Sequence, residues 1–523
     1  MGEPAVLSGI PSVCVKTGKG EKAKRCKREK TNDRNGKPAA GLRPAACSPS
    51  DCTLPACRPQ PVSLFLVTCQ LKHKCMRKDA IDFGTENVSK LFRKLFFPTL
   101  LGMLGMSAMT AIDGIFIGHS VGSDGIAAVN IICPPLMLLT GLGLMIGTGC
   151  SVVASIHLSH GNLKTARLNV TQAFLFATLV TAAAVVAMLW SPDTTARLLG
   201  SSEHLLPLVT EYMLWYVPSW LFMVWEAVAL FVVRLDGAPK VAMASSLTAA
   251  AMNVFLDWLF MFPLGWGIMG AAFATSISTA GGCVIAIVYI LRYAKTLRLE
   301  RLKMSRKSMA LTARNIGYQC RIGSSALLGE ATMAVLIFMG NYVFMRYLGD
   351  DGVGAFGIAC YYTPFIFMIG NAIAQSAQPI ISYNFGLGAR TRVREAEKAA
   401  LATAAICGLT VTAAFVLLPG WLVGLFVSLD NGAAKIAVDG FPYFAAGFLF
   451  FIFNVTAVGY FQSLERVRPA TTFALLRGFV LLIPSFLVMP GLLGTHGIWL
   501  AMPLAEALTA LAITCFYLKK RNA

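Results

Sequence analysis

The chain has 523 residues, of which 56% are hydrophobic and only 14% are charged, and its mean hydropathy is +0.64. Soluble globular chains are about one quarter charged, so this composition excludes a soluble protein and indicates an integral membrane protein. The formal net charge is +19, but residues 1–94 hold 19 Lys and Arg against 8 Asp and Glu and supply 11 of those charges. The charge therefore belongs mainly to the N-terminal segment, and it does not imply nucleic-acid binding. The rest of the chain can hold about a dozen spans of about 20 residues, which excludes a single-anchor enzyme with a large soluble domain.

Residues 1–75 carry half of the 14 cysteines, a basic run at residues 22–28 and scattered prolines, without apolar periodicity. Such a segment cannot bury enough apolar surface to order itself, and it has no signal-peptide pattern. Two readings stay open: a disordered cytoplasmic tail, or sequence upstream of a true start at Met76. A zinc site at Cys47, Cys52 and Cys57 is a weaker alternative, because their spacing lacks a paired Cys-x-x-Cys.

The remaining sequence predicts an all-α membrane protein with twelve transmembrane helices. We place the spans at residues 95–118, 126–156, 169–190, 208–232, 239–261, 267–292, 324–348, 352–382, 398–427, 441–462, 470–489 and 497–518. Lys and Arg concentrate in the loops that follow even-numbered spans, which predicts that those loops and both termini are cytoplasmic. We therefore expect a multi-pass protein of the plasma or inner membrane.

The sequence also contains an internal repeat. The run that begins at Val121-Gly-Ser-Asp-Gly matches the run that begins at Leu348-Gly-Asp-Asp-Gly at a shift of 227 residues, and Pro239 falls on Pro469 at a shift of 230. One duplication explains both shifts, and duplicated halves are a known transporter architecture with the substrate cavity between them. We predict an N-lobe at residues 76–292, a cytoplasmic linker loop at 293–318 and a C-lobe at 319–523, each lobe being a six-helix bundle.

Ionisable residues within apolar spans are costly, by at least about 2.5 kcal/mol, so each one is a functional hypothesis. Asp113 lies within span 1. Asn253 and Asp257 lie four residues apart in span 5, which places the amide and the carboxylate on one helix face. Thr275 in span 6 could complete a site that binds a cation or a proton. The alternative for both aspartates is a position at a helix end that reaches the membrane interface. Spacing does not establish whether the three helices meet.

Four further polar residues lie within predicted spans. Glu226 and Glu330 are candidates for secondary cation or substrate contacts, and the rival reading pairs one of them with Arg477, a deep basic residue of span 11. Glu506 in span 12 is ambiguous. There is no phosphate-binding loop of the type that hydrolyses ATP, and no convincing catalytic spacing, so we expect no enzyme and no cofactor. Energy for transport would come from an ion gradient or from a partner.

Three motifs in order give the chain a family resemblance. They are Asp113-Gly-Ile-Phe-Ile-Gly118 followed by Val121-Gly-x-x-Gly; Asn253-x-x-Leu-Asp257 continuing to Gly267-Ile-Met-Gly-Ala-Ala-Phe-Ala-Thr275; and Ala374-Gln-Ser-Ala-Gln378-Pro-Ile-Ile-Ser-Tyr-Asn384-Phe-Gly386. Over residues 90–518 the chain thus resembles the multidrug and toxic-compound extrusion (MATE) family. It is most similar to the prokaryotic branch that has a cation site in the N-lobe.

The resemblance implies a sodium or proton antiporter that exports bulky, often cationic and aromatic drugs by rocking of its two lobes. It implies cation coupling at Asp113, Asn253, Asp257 and Thr275, with sodium as a possible bound metal. The branch with acids in the C-lobe is matched less well, because Glu330 is about one turn out of place and span 10 offers Asn454 where an acid is expected.

We predict that the cavity between the halves is lined by apolar and aromatic side chains, and we expect a monomer in the lipid bilayer with small organic cations as its partners. The candidates for cavity-lining residues are Tyr212, Trp215, Tyr361, Tyr362 and Gln378. The alternative function is a flippase for a lipid-linked saccharide, from the same broad superfamily. Such a flippase would favour a more cationic cavity for its pyrophosphate group, for which Arg477 is the candidate.

Overall fold

The computed structural model describes residues 82–302, 305–430 and 432–522, and within these ranges the regular secondary structure is helical. The predictions about residues 1–75 fall outside the described residues. The helices are α1 Val88–Ser120, α2 Ser123–Ser159, α3 Leu163–Trp190, α4 Pro192–Leu198, α5 Leu206–Tyr216, α6 Trp220–Leu235, α7 Pro239–Met261, α8 Gly267–Val288, α9 Arg306–Gly386, α10 Arg390–Leu417, α11 Pro419–Gly424, α12 Gly432–Ala445, α13 Phe448–Ser463, α14 Val467–Leu475 and α15 Leu482–Asn522. A 3₁₀ turn, Val217–Ser219, joins α5 to α6, and π-helical turns follow α8 (Tyr289–Tyr293) and α14 (Leu476–Leu481).

Ten of the described helical stretches are long and apolar enough to cross a membrane, or eleven when the bent pair of α12 and α13 counts as one crossing. The longest stretch, Val467–Lys519, has 53 residues. As one straight helix it would be about 80 Å long, which is far more than the roughly 30 Å of a bilayer core. The backbone leaves the helical conformation at Gly494 (φ 59, ψ −135), so this stretch holds two crossings and brings the total to twelve. Gly349 separates the seventh and eighth crossings in the same way within α9.

The backbone repeats the same turns in both halves of the chain. Among the positions with positive φ, three of the first half match three of the second: Gly122 (86°), Gly161 (73°) and Gly237 (88°), then Gly349 (66°), Gly388 (71°) and Glu465 (55°). The members of each pair are 227, 227 and 228 residues apart, because 349 − 122 = 227, 388 − 161 = 227 and 465 − 237 = 228. A side chain in this conformation costs roughly 1–2 kcal/mol, which explains why five of the six positions are glycine.

Buried apolar residues form two large clusters, one in each half. The first cluster draws on residues 128–297 and the second mainly on residues 333–505. The second cluster also takes in the start of the chain's first span, including Leu91, Phe92 and Leu95. Helix α1 therefore begins packed against the second half and then runs along the first half.

The loop between the halves is shorter than predicted. Helix α9 already begins at Arg306, where Ser305 Oγ accepts a hydrogen bond from the Ser308 N–H at 3.3 Å, so the predicted loop at 293–318 is wrong for its second part. The first part of the loop is fixed by Asp236 at the end of α6. The Asp236 carboxylate accepts from the backbone N–H groups of Lys295, Thr296 and Leu297, each at 2.9 Å. The loop is thereby attached to the first half.

The two halves come into backbone contact where α2 crosses α9. A Cβ atom placed on Gly149 would lie 2.0 Å from the carbonyl oxygen of Gln319, and one placed on Gly323 would lie 1.9 Å from that of Met145. Only glycine permits so close an approach. Gly317, earlier on α9, has open space around its Cβ position instead.

We predict that Gly323→Ala lowers the thermal stability of the protein, because the added methyl group has to push α2 and α9 apart. Overpacking of this kind costs about 1–3 kcal/mol. The measurement is the melting temperature of the purified protein in detergent. Gly317→Ala is the matched control, with the same substitution in the same helix, and it should not lower the melting temperature. Equal melting temperatures for the two variants would contradict the close contact.

Candidate functional site

Two buried acids lie together in the first half of the chain. Asp113 lies about two turns before the end of α1, and Asp257 lies about one turn before the end of α7. Their carboxyl groups are within hydrogen-bonding reach of each other. Asp257 is fully buried, and the Oδ1 atom of Asp113 is buried although the residue is partly exposed. The alternative of a helix-end position does not describe Asp257, because its carboxylate points into the protein.

The other two predicted site residues lie beside this acid pair. Asn253 is fully buried one turn before Asp257, and its Nδ2 donates a hydrogen bond to Thr275 Oγ1 at 3.1 Å. The Thr275 hydroxyl in turn donates to the carbonyl oxygen of Ala271 at 3.0 Å. Helices α1, α7 and α8 therefore bring Asp113, Asn253, Asp257 and Thr275 to one place. The spacing of these residues in the sequence could not establish that the three helices meet.

The acid site presents oxygen atoms that lack a donor. Asp113 Oδ1, both carboxylate oxygens of Asp257 and Asn253 Oδ1 are buried without a hydrogen-bond partner. Buried polar atoms are nearly always satisfied, and two buried carboxylates cannot both carry a charge without compensation. Such an arrangement can take up positive charge, either as a proton shared between the two carboxyl groups or as a small cation held by these oxygens.

A second group of polar contacts closes one end of the bundle. We call this the linker end; it carries the loops at 160–162, 236–238, 294–302, 387–389 and 464–466. Here Asn315 Nδ2 of α9 donates to Asn169 Oδ1 at 2.5 Å and to Gln172 Oε1 at 2.6 Å, and Gln319 Nε2 donates to the same Asn169 oxygen at 2.8 Å. These amides join α3 of the first half to α9 of the second.

The motif that begins at Ala374 supplies further contacts between the halves. Gln378 Oε1 accepts from Ser151 Oγ at 2.8 Å, and Gln375 Oε1 accepts from Arg234 Nη1 at 2.7 Å. Asn384 Nδ2 donates to the carbonyl oxygen of Phe83 at 2.9 Å, just before α1 begins. Because the hydrogen bonds that we find between the halves cluster toward the linker end, the halves are held together there.

Arg392 of α10 extends this closure. Its Nη2 donates to the carbonyl oxygens of Phe83, at 3.0 Å, and Glu86, at 2.6 Å, while its Nε donates to Asn384 Oδ1 at 2.9 Å. The sequence analysis placed this arginine among the loop charges that indicate orientation. In the structure it ties the start of α1 to the second half.

A small cavity of about 60 Å³ lies between the halves, directly beyond the closure. Gln375 and Gln378, which bond to the first half, form part of its wall. Its other polar lining residues come from α2, α9, α13 and the π-helical turn after α14, and they are Thr148, Ser325, Thr332, Asn371, Gln462 and Arg477. Apolar side chains such as Leu144, Phe231 and Phe367 complete the wall, so the cavity at the junction of the two halves has a mixed polar and apolar lining.

Arg477 pairs with Glu506, and not with Glu226 or Glu330. Its Nε lies 2.5 Å from Glu506 Oε1, its guanidinium carbon lies 4.0 Å from the centre of the Phe451 ring, and both charged side chains are buried. Asn454 Nδ2 donates to the other Glu506 oxygen at 2.7 Å. The rival reading, a pair with Glu226 or Glu330, is thus wrong.

Glu226 and Glu330 occupy separate positions. Glu226 is buried in the first half, where it accepts from Ser245 Oγ at 3.0 Å. Glu330 faces α2, since a Cβ on Gly141 would lie 3.3 Å from its own Cβ, and its Oε1 is buried without a hydrogen-bond partner. Neither residue belongs to the Asp113–Asp257 site.

Of the five predicted cavity residues, Gln378 lines the cavity and the four aromatic residues lie elsewhere. Tyr212 is buried near Asp113, and Trp215 packs edge-on against Phe273. Tyr361 stacks on Phe426, and Tyr362 packs within the second half with its hydroxyl donating to the Leu422 carbonyl at 2.9 Å. Aromatic rings gain most from packing within one half, so an aromatic residue in a span is a poor marker of the junction.

Sequence reasoning did not identify several polar residues at the junction, namely Asn169, Gln172, Asn315, Gln319, Ser325 and Gln375. These side chains are neutral, so the search for charges within spans passed over them. Their residue types could have indicated contacts between helices, because amide side chains within apolar spans also need hydrogen-bond partners. Gln375 stood in a motif of which only Gln378 was named as a candidate for the cavity.

Comparison with known proteins gives the chain a family. A family model described as MatE matches residues 98–259 and again residues 326–487. The multidrug export protein MepA of Staphylococcus aureus strain MRSA252 is 24% identical over 437 residues, which cover 82% of this chain and 93% of that protein. The corresponding protein of Staphylococcus saprophyticus is 26% identical over 440 residues, with the same coverage of both chains.

Solved structures share the fold. The outward-facing conformation of a multidrug resistance MATE family transporter of the MOP superfamily aligns with a TM-score of 0.78 and 19% identity. The alignment covers 84% of this chain and 97% of that one. The likeness shows that this chain shares the fold of that transporter.

We predict that Asn169→Ala loosens the closure, because it removes the oxygen that accepts from both Asn315 and Gln319. Loss of two neutral hydrogen bonds weakens the contact by about 1–3 kcal/mol, or about five- to 150-fold in the population of the closed form. The measurement is the labelling rate of a single cysteine introduced at Ser151, read with a thiol reagent on a background without other cysteines. Thr403→Val, which removes a hydroxyl bonded only within α10, is the control. Unchanged labelling in Asn169→Ala would show that these amides do not hold the halves together.

Proposed function

Because the chain belongs to the MatE family, whose members are transporters and not enzymes, we propose that it exports drugs by cation antiport, with the coupling ion held at Asp113 and Asp257. The observation that carries the proposal is the set of four buried oxygens without a donor at this acid pair. They form a site that is satisfied only when a proton or a cation is present. A gradient of such an ion can therefore act on this protein directly.

The described conformation supports a place for this site in a transport cycle. The halves are joined at the linker end, which the charge pattern predicts to be cytoplasmic, so the cleft between them opens to the outside. In this state the coupling ion binds at Asp113 and Asp257, helices α1, α7 and α8 rearrange, and the drug leaves to the exterior. Since ion and drug favour opposite states of one transporter, each lowers the affinity for the other.

The residues that would hold the ion can be named. A proton would be shared between the carboxyl groups of Asp113 and Asp257. A sodium ion would use the carboxylate oxygens of both residues and the Asn253 amide oxygen, while Thr275 fixes the orientation of that amide through its hydrogen bond. Oxygen ligands of this kind suit a hard cation. The drug is an organic molecule, which we expect to be bulky and often cationic, in a plasma or inner membrane.

The alternative, a flippase for a lipid-linked saccharide, has less support. It depends on a cationic cavity that could receive a pyrophosphate, and Arg477 was its main candidate. That charge is balanced by Glu506, so the pair presents no net positive charge to a dianion. Loss of an envelope glycan on deletion of the gene, without any effect on drug export, would favour the flippase over the antiporter.

We predict that Asp257→Asn abolishes export driven by an ion gradient, because a neutral amide can neither release a proton nor hold a cation by charge. The loss should be about tenfold or more, which is the size of a typical coupling between two ligand sites. The measurement is ethidium transport by the purified full chain in liposomes, under sodium and proton gradients imposed separately. Asp430→Asn, at an exposed position, is the matched control. Transport at the wild-type rate in a folded Asp257→Asn protein would end the proposal.

The same assay identifies the coupling ion. We expect one of the two gradients to drive ethidium transport in the wild-type protein, and we expect Asp113→Asn to remove the response to that same gradient. The two carboxyl groups act as one site, so loss of either should have nearly the effect of losing both. Transport that depends on neither gradient would contradict antiport by this chain.

A further inference from the structure

Two arginines lie side by side at the membrane boundary of the second half. Arg321 of α9 comes three residues before predicted span 7, and Arg468 of α14 comes two residues before predicted span 11. Ser324 Oγ and Thr471 Oγ1, each one turn further along its helix, are 3.2 Å apart. The two helices therefore run together at this point, and both arginines lie at the depth of the lipid headgroups.

The surface next to Arg321 is open. Arg314, Gly317, Tyr318 and Arg321 follow the spacing i, i+3, i+4 and i+7, so they share one face of α9, and all four are exposed. A long side chain on a helix lies over the preceding turn, which for Arg321 is the turn that carries Gly317. Because the Cβ position of Gly317 has open space around it, a ligand has room beside the arginine.

This edge of the second half is positively charged. It carries Arg314, Arg321 and Arg468, and one acid, Glu465, whose carboxylate lies within hydrogen-bonding reach of the Tyr318 hydroxyl. Within the residues that the structure describes, no ion pair involves any of the three arginines. Three arginines against one acid leave an excess of two positive charges, which suits a phosphate group.

An apolar strip continues from this edge into the membrane. On α14, Arg468, Thr472 and Leu475 follow the spacing i, i+4 and i+7 and are exposed, so they share one face of the helix. Val480, in the π-helical turn that follows, is 58% exposed. A surface that is cationic at the membrane boundary and apolar beyond it matches a molecule with an anionic head and hydrocarbon chains. This combination favours a phospholipid over a soluble phosphate or an acidic protein.

We propose that Arg321 and Arg468, with Arg314 outside them, bind the phosphate of an anionic phospholipid whose chains lie along the exposed face of α14. Guanidinium groups match phosphate oxygens in geometry as well as in charge. The charge pattern predicts that the linker end is cytoplasmic, so the lipid belongs to the cytoplasmic leaflet. The inference goes beyond the proposed function and does not depend on it, because it assigns a lipid site outside the path of ion and drug.

The site also acts on the closure between the halves. The same turns of α9 carry Asn315 and Gln319, which donate to the Asn169 oxygen of the first half. A lipid held by both α9 and α14 restrains this part of α9. The bound lipid therefore favours the form in which the linker end is closed.

The test measures lipid binding to the purified full chain in detergent by native mass spectrometry. Dioleoyl phosphatidylglycerol and dioleoyl phosphatidylcholine are titrated separately; they have the same chains, but only the first carries a net negative charge. We expect the wild-type protein to bind phosphatidylglycerol more tightly. Loss of each arginine should lower this preference about fivefold, so Arg321→Gln combined with Arg468→Gln should lower it about 25-fold. If the double variant does not fold, the two single variants decide the matter.

The matched control combines Arg301→Gln with Arg390→Gln, which removes two exposed arginines of the linker end from other surfaces. We expect this control to keep the wild-type preference. An equal loss in the control would show a diffuse attraction of anionic lipids to the basic surface, and it would overturn the site. Equal affinity of the wild-type protein for the two lipids would overturn it as well. If inorganic phosphate at the same concentration displaces phosphatidylglycerol, the ligand is the anion alone and not a lipid.

The effect on the closure has a separate measurement. The labelling rate of a single cysteine at Ser151 is compared in liposomes of phosphatidylcholine with and without phosphatidylglycerol. We expect phosphatidylglycerol to slow the labelling of the wild-type background, but not of the variant that lacks Arg321 and Arg468. Equal rates in the two kinds of liposome would overturn the effect on the closure while the binding site stands. Neither measurement uses a drug or an ion gradient, so failure of the proposed antiport leaves the lipid site unaffected.

Discussion

The structure depends on the cost of placing two carboxyl groups side by side in an apolar environment. Asp113 and Asp257 come from different helices, and their contact requires α1 and α7 to pack closely near the end of the bundle that faces away from the linker. Asn253 and Thr275 hold each other beside the pair and bring in α8. Without added positive charge this arrangement is unfavourable, so on the proposed function an ion at this site would act directly on the packing of three helices in the first half.

The second half also buries charged side chains, but it compensates their charges in a different way. Arg477 and Glu506 also lie in the interior, but they neutralise each other, and Asn454 satisfies the remaining carboxylate oxygen. The two repeated halves thus share their backbone turns while their buried charges differ. One half holds two acids without a basic partner, and the other holds an acid paired with a base. On the proposed function, this difference would confine ion coupling to the first half.

The sequence alone predicted much of the fold and the charged residues of the site. The number of crossings followed from apolar runs, and Asp113, Asn253 and Asp257 were singled out as costly polar residues, because burial in a membrane leaves strong sequence signals. That these residues and Thr275 form one site was implied only by the family resemblance. The extent of α9 was missed, since Arg306 to Tyr318 is polar enough to suggest a loop although it continues a helix. The cavity was only partly anticipated: Gln378 was named, whereas the aromatic candidates pack within one half. Which faces meet across the junction depends on packing, and periodicity does not reveal it.

The chemistry of the closure has a consequence for energy conversion. Its acceptors are amide and backbone carbonyl oxygens, and its donors are amides, hydroxyls and guanidinium groups, none of which changes protonation near neutral pH. A change of pH on either side of the bilayer therefore does not act directly on these contacts, and on the proposed function the ion bound at Asp113 and Asp257 would affect them only indirectly. Helix α1 links the two places. It carries Asp113 near its C-terminal end, and the carbonyl oxygens of Phe83 and Glu86, just before its N-terminal end, accept hydrogen bonds from Arg392. Helix α1, which contains Pro98 between these two ends, thus connects the proposed ion site directly to the closure.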